Sequence, residues 1–198
     1  MLYREDEPVI LGLDVSTSIT GWSLLALESE DFSLGYLPLA SSKDPYSKAG
    51  KVRELLQNLT HDHNICAVFV EQDLRRFTRG LSSAQTIATL ARFNGVTCQI
   101  AFEETGIKPI LLNVNEARKA VGIKYDRKDK TKTTKEKVFE KVDQMITYDW
   151  PMKVLKSGPR KGLSIKQPGC FDMADAYVIA AAGKILHPAQ SRIGLSST

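Results

Sequence analysis

Four acidic residues carry the chemistry open to this sequence: Asp14, Glu71, Asp172 and Asp175. Asp14 stands where the apolar run Val9, Ile10, Leu11 and Leu13 gives way to the polar turn 16–20. A carboxylate at the end of a buried strand is costly unless something pairs with it. Asp14 alone fits two readings equally: an acid that caps its own turn, or one that faces a metal ion or a phosphate-bound cation. Glu71 repeats the pattern at the end of the apolar run 65–70. Asp172 and Asp175 lie three apart at the start of a late apolar segment, which places them on one helix face. Compensation of a helix dipole explains one acid there more easily than two, which favours a metal site. Together the four would repel one another strongly without cations. Oxygen-only ligands suit Mg²⁺ or Mn²⁺. Two such ions can clamp an in-line displacement at a phosphodiester, activating water and stabilising the leaving oxygen.

The elements that must position these acids follow from periodicity. Strand 9–13 is followed by a reversal at Gly21, a glycine suited to a sharp turn. A second strand, 22–27, and a third, 32–39, complete an antiparallel meander. Segment 47–59 carries Val52, Leu55, Leu56 and Leu59 at helical spacing. Strand 65–70 follows, then a basic loop with Arg75, Arg76, Phe77 and Arg79. Ser82 and Ser83 can cap a long helix whose apolar positions are Ala84, Ile87, Ala88, Leu90, Ala91, Val96 and Ile100. Its small residues Ala88, Ala91 and Gly95 would admit a second helix closely. Strand 109–114 precedes a short helix, 116–121, capped by Asn115. Thr134 caps helix 135–146, with Val138, Phe139, Val142 and Ile146 as its stripe. Segment 148–169 has no clear period and several Pro and Gly residues; a connection of that length tends to be functional. The last helix, 171–186, stops at His187-Pro188. The expected fold is α/β, a mixed sheet flanked by helices. Residues 1–187 form one domain and 188–198 a flexible tail.

The 198 residues suit one domain, and 42% hydrophobic with 25% charged residues is ordinary for a globular chain. No apolar run approaches membrane-spanning length, and the acidic N-terminal segment lacks a signal-peptide core, so a cytoplasmic location is expected. Cys66, Cys98 and Cys170 are widely spaced and read as buried thiols rather than a disulfide framework or zinc site. A formal charge of +4 permits a polyanionic partner without requiring one.

Leu11-Gly-Leu-Asp14 with Thr20-Gly21-Trp22, then Val70-Glu71-Gln72, then Asp172-Met-Ala-Asp175-Ala resembles the RuvC family of Holliday junction resolvases, of the ribonuclease H-like superfamily. The resemblance runs from about residue 9 to 182. It implies a ribonuclease H-like mixed sheet, a homodimer, dependence on Mg²⁺ with Mn²⁺ able to substitute, two ions per site, and paired nicks in strands of like polarity at a four-way DNA junction. It assigns Asp14, Glu71, Asp172 and Asp175 as the catalytic, metal-binding acids. It places Lys135 near the family's active-site lysine, with Arg118 and Lys119 as further basic candidates. The family often has an aromatic residue three positions after the glutamate; this chain has Leu74, and Phe77 is the candidate in its place. The lysine-rich loop and the long connection before Asp172 also depart from the pattern, which suggests a phage-encoded or organelle-type relative. A phage-infected or bacterial cytoplasm is expected before an organelle matrix.

Lys128, Lys130 and Lys132 belong to a basic span that, taken alone, reads as a solvated loop balanced by Asp126, Asp129, Glu136 and Glu140. Beside an acid cluster that must receive a DNA backbone, phosphate contact is the better reading. Three alternatives stay open: a nuclease with broader taste for flaps and forks, an actin-like sugar kinase or ATPase using Gly12-Leu-Asp14-Val-Ser-Thr as a phosphate loop, and a non-catalytic DNA-binding relative.

Overall fold

The computed structural model describes residues 7–72, 84–126 and 131–188. Its elements, in chain order, are β1 (Val9–Asp14), β2 (Ile19–Ala26), β3 (Phe32–Pro38), α1 (Pro45–Asp62), β4 (Ile65–Glu71), α2 (Ala84–Thr105), β5 (Ile110–Leu112), α3 (Val114–Ala120), α4 (Thr134–Met145), β6 (Met152–Val154), β7 (Ser164–Lys166) and α5 (Gly169–Leu186). Five strands form one mixed sheet in the order β3-β2-β1-β4-β5. The meander β1–β2–β3 is antiparallel, whereas β4 runs parallel to both β1 and β5.

β1 lies at the centre of this sheet, and all six of its residues are buried. A strand covered on both faces needs an unbroken apolar sequence, as this one has. Val9, Leu11 and Leu13 join Val68, Val70 and Leu24 beneath α1 and α2, through Val52, Leu56, Phe93 and Ile100. Ile10, with Phe69 and Leu25, faces the opposite layer, built from α3, α4 and α5. Strand alternation therefore turns Asp14 and Glu71 towards the α5 layer. The pairing Leu13–Val70 sets the two acids side by side at the carboxyl ends of adjacent parallel strands.

Glycines let α5 lie directly on the sheet. A Cβ on Gly12 would stand 2.5 Å from the Ala176 carbonyl oxygen, and one on Gly21 would stand 2.0 Å from that of Asp172. The Ser23 hydroxyl donates to the Ala176 carbonyl across the same contact, at 2.9 Å. Gly21 is thus not the turn residue expected from sequence. It lies inside β2, paired with Asp14, and its missing side chain is space for the helix.

Several boundaries differ from expectation, each for a local reason. α1 begins earlier because Asp44 caps it, accepting from the Ser47 amide. Asn113, not Asn115, caps α3. Thr133, not Thr134, caps α4, in a reciprocal capping box with Glu136. β5 is only three residues long. The segment expected to lack structure before α5 contains an antiparallel hairpin, β6–β7. The buried face of α2 is Phe93, Asn94, Thr97, Ile100 and Ala101. Of the apolar stripe expected there only Ile100 is buried; Ala84, Ala88 and Val96 are exposed, and Ile87, Leu90 and Ala91 are half-buried. Ser82 and Ser83, expected to cap α2, and the tail from 189 onward lie outside the described residues. No described helix is long and apolar enough to cross a membrane. The three cysteines form no disulfide; Cys66 and Cys170 are buried and Cys98 is half-buried.

Candidate active site

The site forms where β1 and β4 end beneath the first two turns of α5. Open α/β sheets tend to bind ligands at such carboxyl ends. α5 starts at Gly169, two residues before the expected position, so Asp172 closes the first turn and Asp175 falls in the second. Dipole compensation fades beyond the first turn and does not account for Asp175. Asp14 and Asp172 are 8% exposed and Asp175 is 3% exposed. The Asp14 and Glu71 carboxyls are close enough to share a hydrogen bond. The structure thus brings all four acids together.

Two cations partly offset them. The Lys135 ammonium, from the first turn of α4, lies 2.5 Å from Asp172 Oδ1 and 3.7 Å from Asp14 Oδ2. The stem of Lys135 is half-exposed, so its head reaches inward from the rim. The Arg118 guanidinium, from α3, donates to Asp175 Oδ1 at 3.1 Å, and its buried Nε has no hydrogen-bond partner among the described residues. Among the described residues, four carboxylates face two cations, which leaves the cluster electron-rich. Burial and the neighbouring Glu71 push the Asp14 carboxyl well above the usual carboxylate range. Burial and Asp175 push Glu71 up to about 7. Burial also raises Asp175, although Arg118 and Lys135 pull against it. Burial disfavours the charge on Lys135, but Asp14 and Asp172 outweigh it and hold that ammonium firmly protonated.

The chemistry of the donor set fits a hard divalent cation: oxygen donors alone, desolvated, and short of positive charge. Among the described residues, however, no three acid, histidine or cysteine side chains already converge as a cage. Lys135 instead bridges Asp14 and Asp172.

The remaining basic candidates are distributed differently. Lys119 is exposed on the rim of a groove of about 460 Å³ that Arg118, Lys124 and Tyr125 also line. Lys132 is paired with Glu140 at 2.5 Å on the surface. Lys137, from the same basic span, is buried and donates to the Asp126 carbonyl. Arg75, Arg76, Phe77, Arg79, Lys128 and Lys130 lie outside the described residues. One positioning residue is absent from the sequence-based candidates: Asn94 of α2 donates to the Glu71 carbonyl at 2.9 Å and fixes the end of β4. The available signal was an asparagine at helical spacing between Phe93 and Thr97.

No family model and no curated protein matches this sequence. Solved structures do. The chain superposes on Thermus thermophilus RuvC in complex with Holliday junction substrate with a TM-score of 0.61 and 14% identity, over 91% of this chain and 94% of that one. A second structure of Thermus thermophilus RuvC gives 0.57 and 18%, over 92% and 97%. The yeast mitochondrial Holliday junction resolvase Ydc2 gives 0.48 and 16%, over 96% and 83%. The fold is that of RuvC, a ribonuclease H-like mixed sheet.

Proposed function

We propose that this protein is a divalent-metal-dependent endonuclease that resolves four-way DNA junctions. The observation that carries the reading is that three separate elements carry Asp14, Glu71, Asp172 and Asp175 to the same end of a RuvC-like sheet, where each acid feels its neighbours' charge. The similarity to RuvC in complex with Holliday junction substrate supports the choice of DNA.

In this reading the four carboxylates hold Mg²⁺ or Mn²⁺, which when bound activate a water and stabilise the leaving oxygen of the phosphodiester. The chain's own groups do the rest. Glu71, with its pKa near neutrality, holds or releases a proton beside Asp14. Arg118 pairs with Asp175, orients it and works against the burial that disfavours its charge. Lys135, on a half-exposed stem, can turn from Asp14 and Asp172 towards a scissile phosphate and stabilise the charge that builds up there. Lys119, Arg75, Arg76, Phe77, Arg79, Lys128, Lys130 and Lys132 are the proposed DNA contacts beyond the acids.

A junction with two-fold symmetry is most simply cut by a two-fold dimer. The exposed apolar residues along α2 support that assembly, because the single chain leaves them uncovered. The kinase reading loses its support in the turn after Asp14. There the amides of Ser18 and Ile19 are taken up by the Ser16 hydroxyl rather than presented to a phosphate.

The test is cleavage of supercoiled plasmid, flap and four-way substrates with Mg²⁺ and with EDTA. Paired nicks confined to the junction and lost in EDTA support the proposal. Equal cutting of flaps favours a broader branched-DNA nuclease, and no cutting of any substrate contradicts it.

A further inference from the structure

Residues 151–168, the connection that departs from the family's pattern, carry Lys153, Lys156, Arg160, Lys161 and Lys166 and no acidic residue. Five cations exceed the formal net charge of the whole chain, +4, so this short segment holds all of the protein's net positive charge. It folds as the β6–β7 hairpin, with Met152 opposite Lys166, Lys153 opposite Ile165 and Val154 opposite Ser164. Its ladder continues outward through Leu155 and Leu163 to a turn at 158–161.

The root of the hairpin is firmly built. Lys166 lies 3.4 Å from Asp143 and 3.9 Å above the centre of the Phe139 ring, both on α4. Asp143 also accepts from the Trp150 indole at 2.6 Å, and Trp150 packs on Phe139. Gln167 joins Tyr36 of β3 to the Met152 carbonyl. Beyond this root almost everything faces water. Lys153, Lys156, Arg160 and Lys161 are exposed and make no ion pair among the described residues. Met152, Val154 and Leu163 are 47%, 60% and 53% exposed. A two-stranded hairpin with no core of its own is marginal in water. An anchored arm that concentrates unpaired cations and exposes aliphatic side chains is shaped for a partner.

We infer that the β6–β7 hairpin is a second DNA-contacting element, an arm that grips duplex backbone beside the junction. The inference rests on the junction-nuclease reading and extends it to residues which that reading does not use. Charge decides the occupant: four unpaired cations without a single acid suit a polyanion better than a protein surface of mixed sign. Position agrees, since only five residues separate Lys166 from Asp172. Lys153, Lys156, Arg160 and Lys161 take phosphates, and the exposed Met152 and Val154 face the same duplex as apolar contacts.

The experiment replaces these four cations with glutamine in the full chain (Lys153→Gln, Lys156→Gln, Arg160→Gln, Lys161→Gln) and measures junction binding over a salt series. The expected result is a tenfold or larger loss of affinity, with the slope of log K against log salt smaller by about 0.9 for each duplex phosphate that the variant no longer neutralises. Cleavage at saturating protein should persist, because none of the four touches the acid cluster. An unchanged slope and affinity, in a variant that melts like the parent, overturns the hairpin inference and leaves the nuclease reading standing. A variant that binds junctions normally but changes its sedimentation also overturns it, in favour of a contact between copies. If the parent protein itself shows no salt-dependent junction binding, both readings fall.

Discussion

Gly21 and Asp172 are in backbone contact: a Cβ on the glycine would stand 2.0 Å from the Asp172 carbonyl oxygen. Because Gly21 pairs with Asp14 across β1 and β2, this one contact sets the height of two candidate ligands at once. The clash is with backbone, which cannot rotate away. Gly21→Ala should therefore lift the start of α5, at a cost of about 3 kcal/mol or more. Thermal melting should show the loss, and cleavage should fall more steeply than stability alone accounts for. A variant that melts and cuts like the parent would contradict this role for the glycine.

Stability without divalent metal should fall as pH rises. Glu71 has a folded pKa near 7 against an ordinary value of 4.5. Between those values the folded state binds more protons than the unfolded one, so raising the pH through that window favours unfolding. Asp14 and Asp175 are shifted the same way and add to the effect. Glu71 alone can contribute up to about 3 kcal/mol. Denaturant titrations in EDTA at pH 5, 6, 7 and 8 should show this decline. Glu71→Gln should flatten it, and Mn²⁺ or Mg²⁺ at pH 8 should recover the lost stability. A flat profile in the parent would contradict the buried, underneutralised cluster.

Arg118 and Lys135 should separate by experiment. Arg118 is largely buried against Asp175, so Arg118→Ala leaves a buried carboxylate unpaired and should cost about 3 kcal/mol or more near pH 8. That cost should shrink as pH falls, because burial raises the Asp175 carboxyl and its protonation removes the unpaired charge. Lys135 reaches in from a half-exposed stem, and Lys135→Ala should spare stability while lowering single-turnover cleavage more than junction affinity. Equal effects of the two substitutions on melting and on cleavage would remove the distinction.

The uncovered face of α2 predicts the assembly. Val96 is 44% exposed although apolar, and Ala84 and Ala88 are exposed on the side of the helix away from its buried residues. Ala88→Glu and Val96→Glu should leave the fold intact and shift sedimentation from dimer to monomer. A parent protein that sediments as a monomer, free and on junction DNA, would contradict the dimer.

The acid-terminated strands were legible in the sequence because β1 and β4 are covered on both faces. Their continuous apolar runs end at the residues that face the site. Asp172 and Asp175 were legible because the helix around them is apolar on nearly every side. The role of Gly21 was not legible: a residue that leaves room for a neighbour far along the chain carries no local mark of that neighbour. α2 hid its buried face because Asn94 and Thr97 interrupt it with polar atoms, while its alanines advertise a face that the single chain leaves open. The caps of α3 and α4 shifted because Asn113 and Asn115, and Thr133 and Thr134, are equally able to cap, and tertiary position selects between them. β6 and β7 escaped notice because three-residue strands are shorter than any alternation can reveal.

The sharpest test of the metal-site reading compares the parent protein with Asp14→Asn on a four-way junction in Mg²⁺, measuring binding and single-turnover cleavage together. Asp14 sits among Glu71, Lys135, Asp172 and Asp175, and a carboxylate repels a phosphate rather than binding it. Asp14→Asn should bind the junction about as well as the parent, and its cleavage should be abolished. Nicking by Asp14→Asn at close to the parent rate would contradict the assignment of these acids to catalysis.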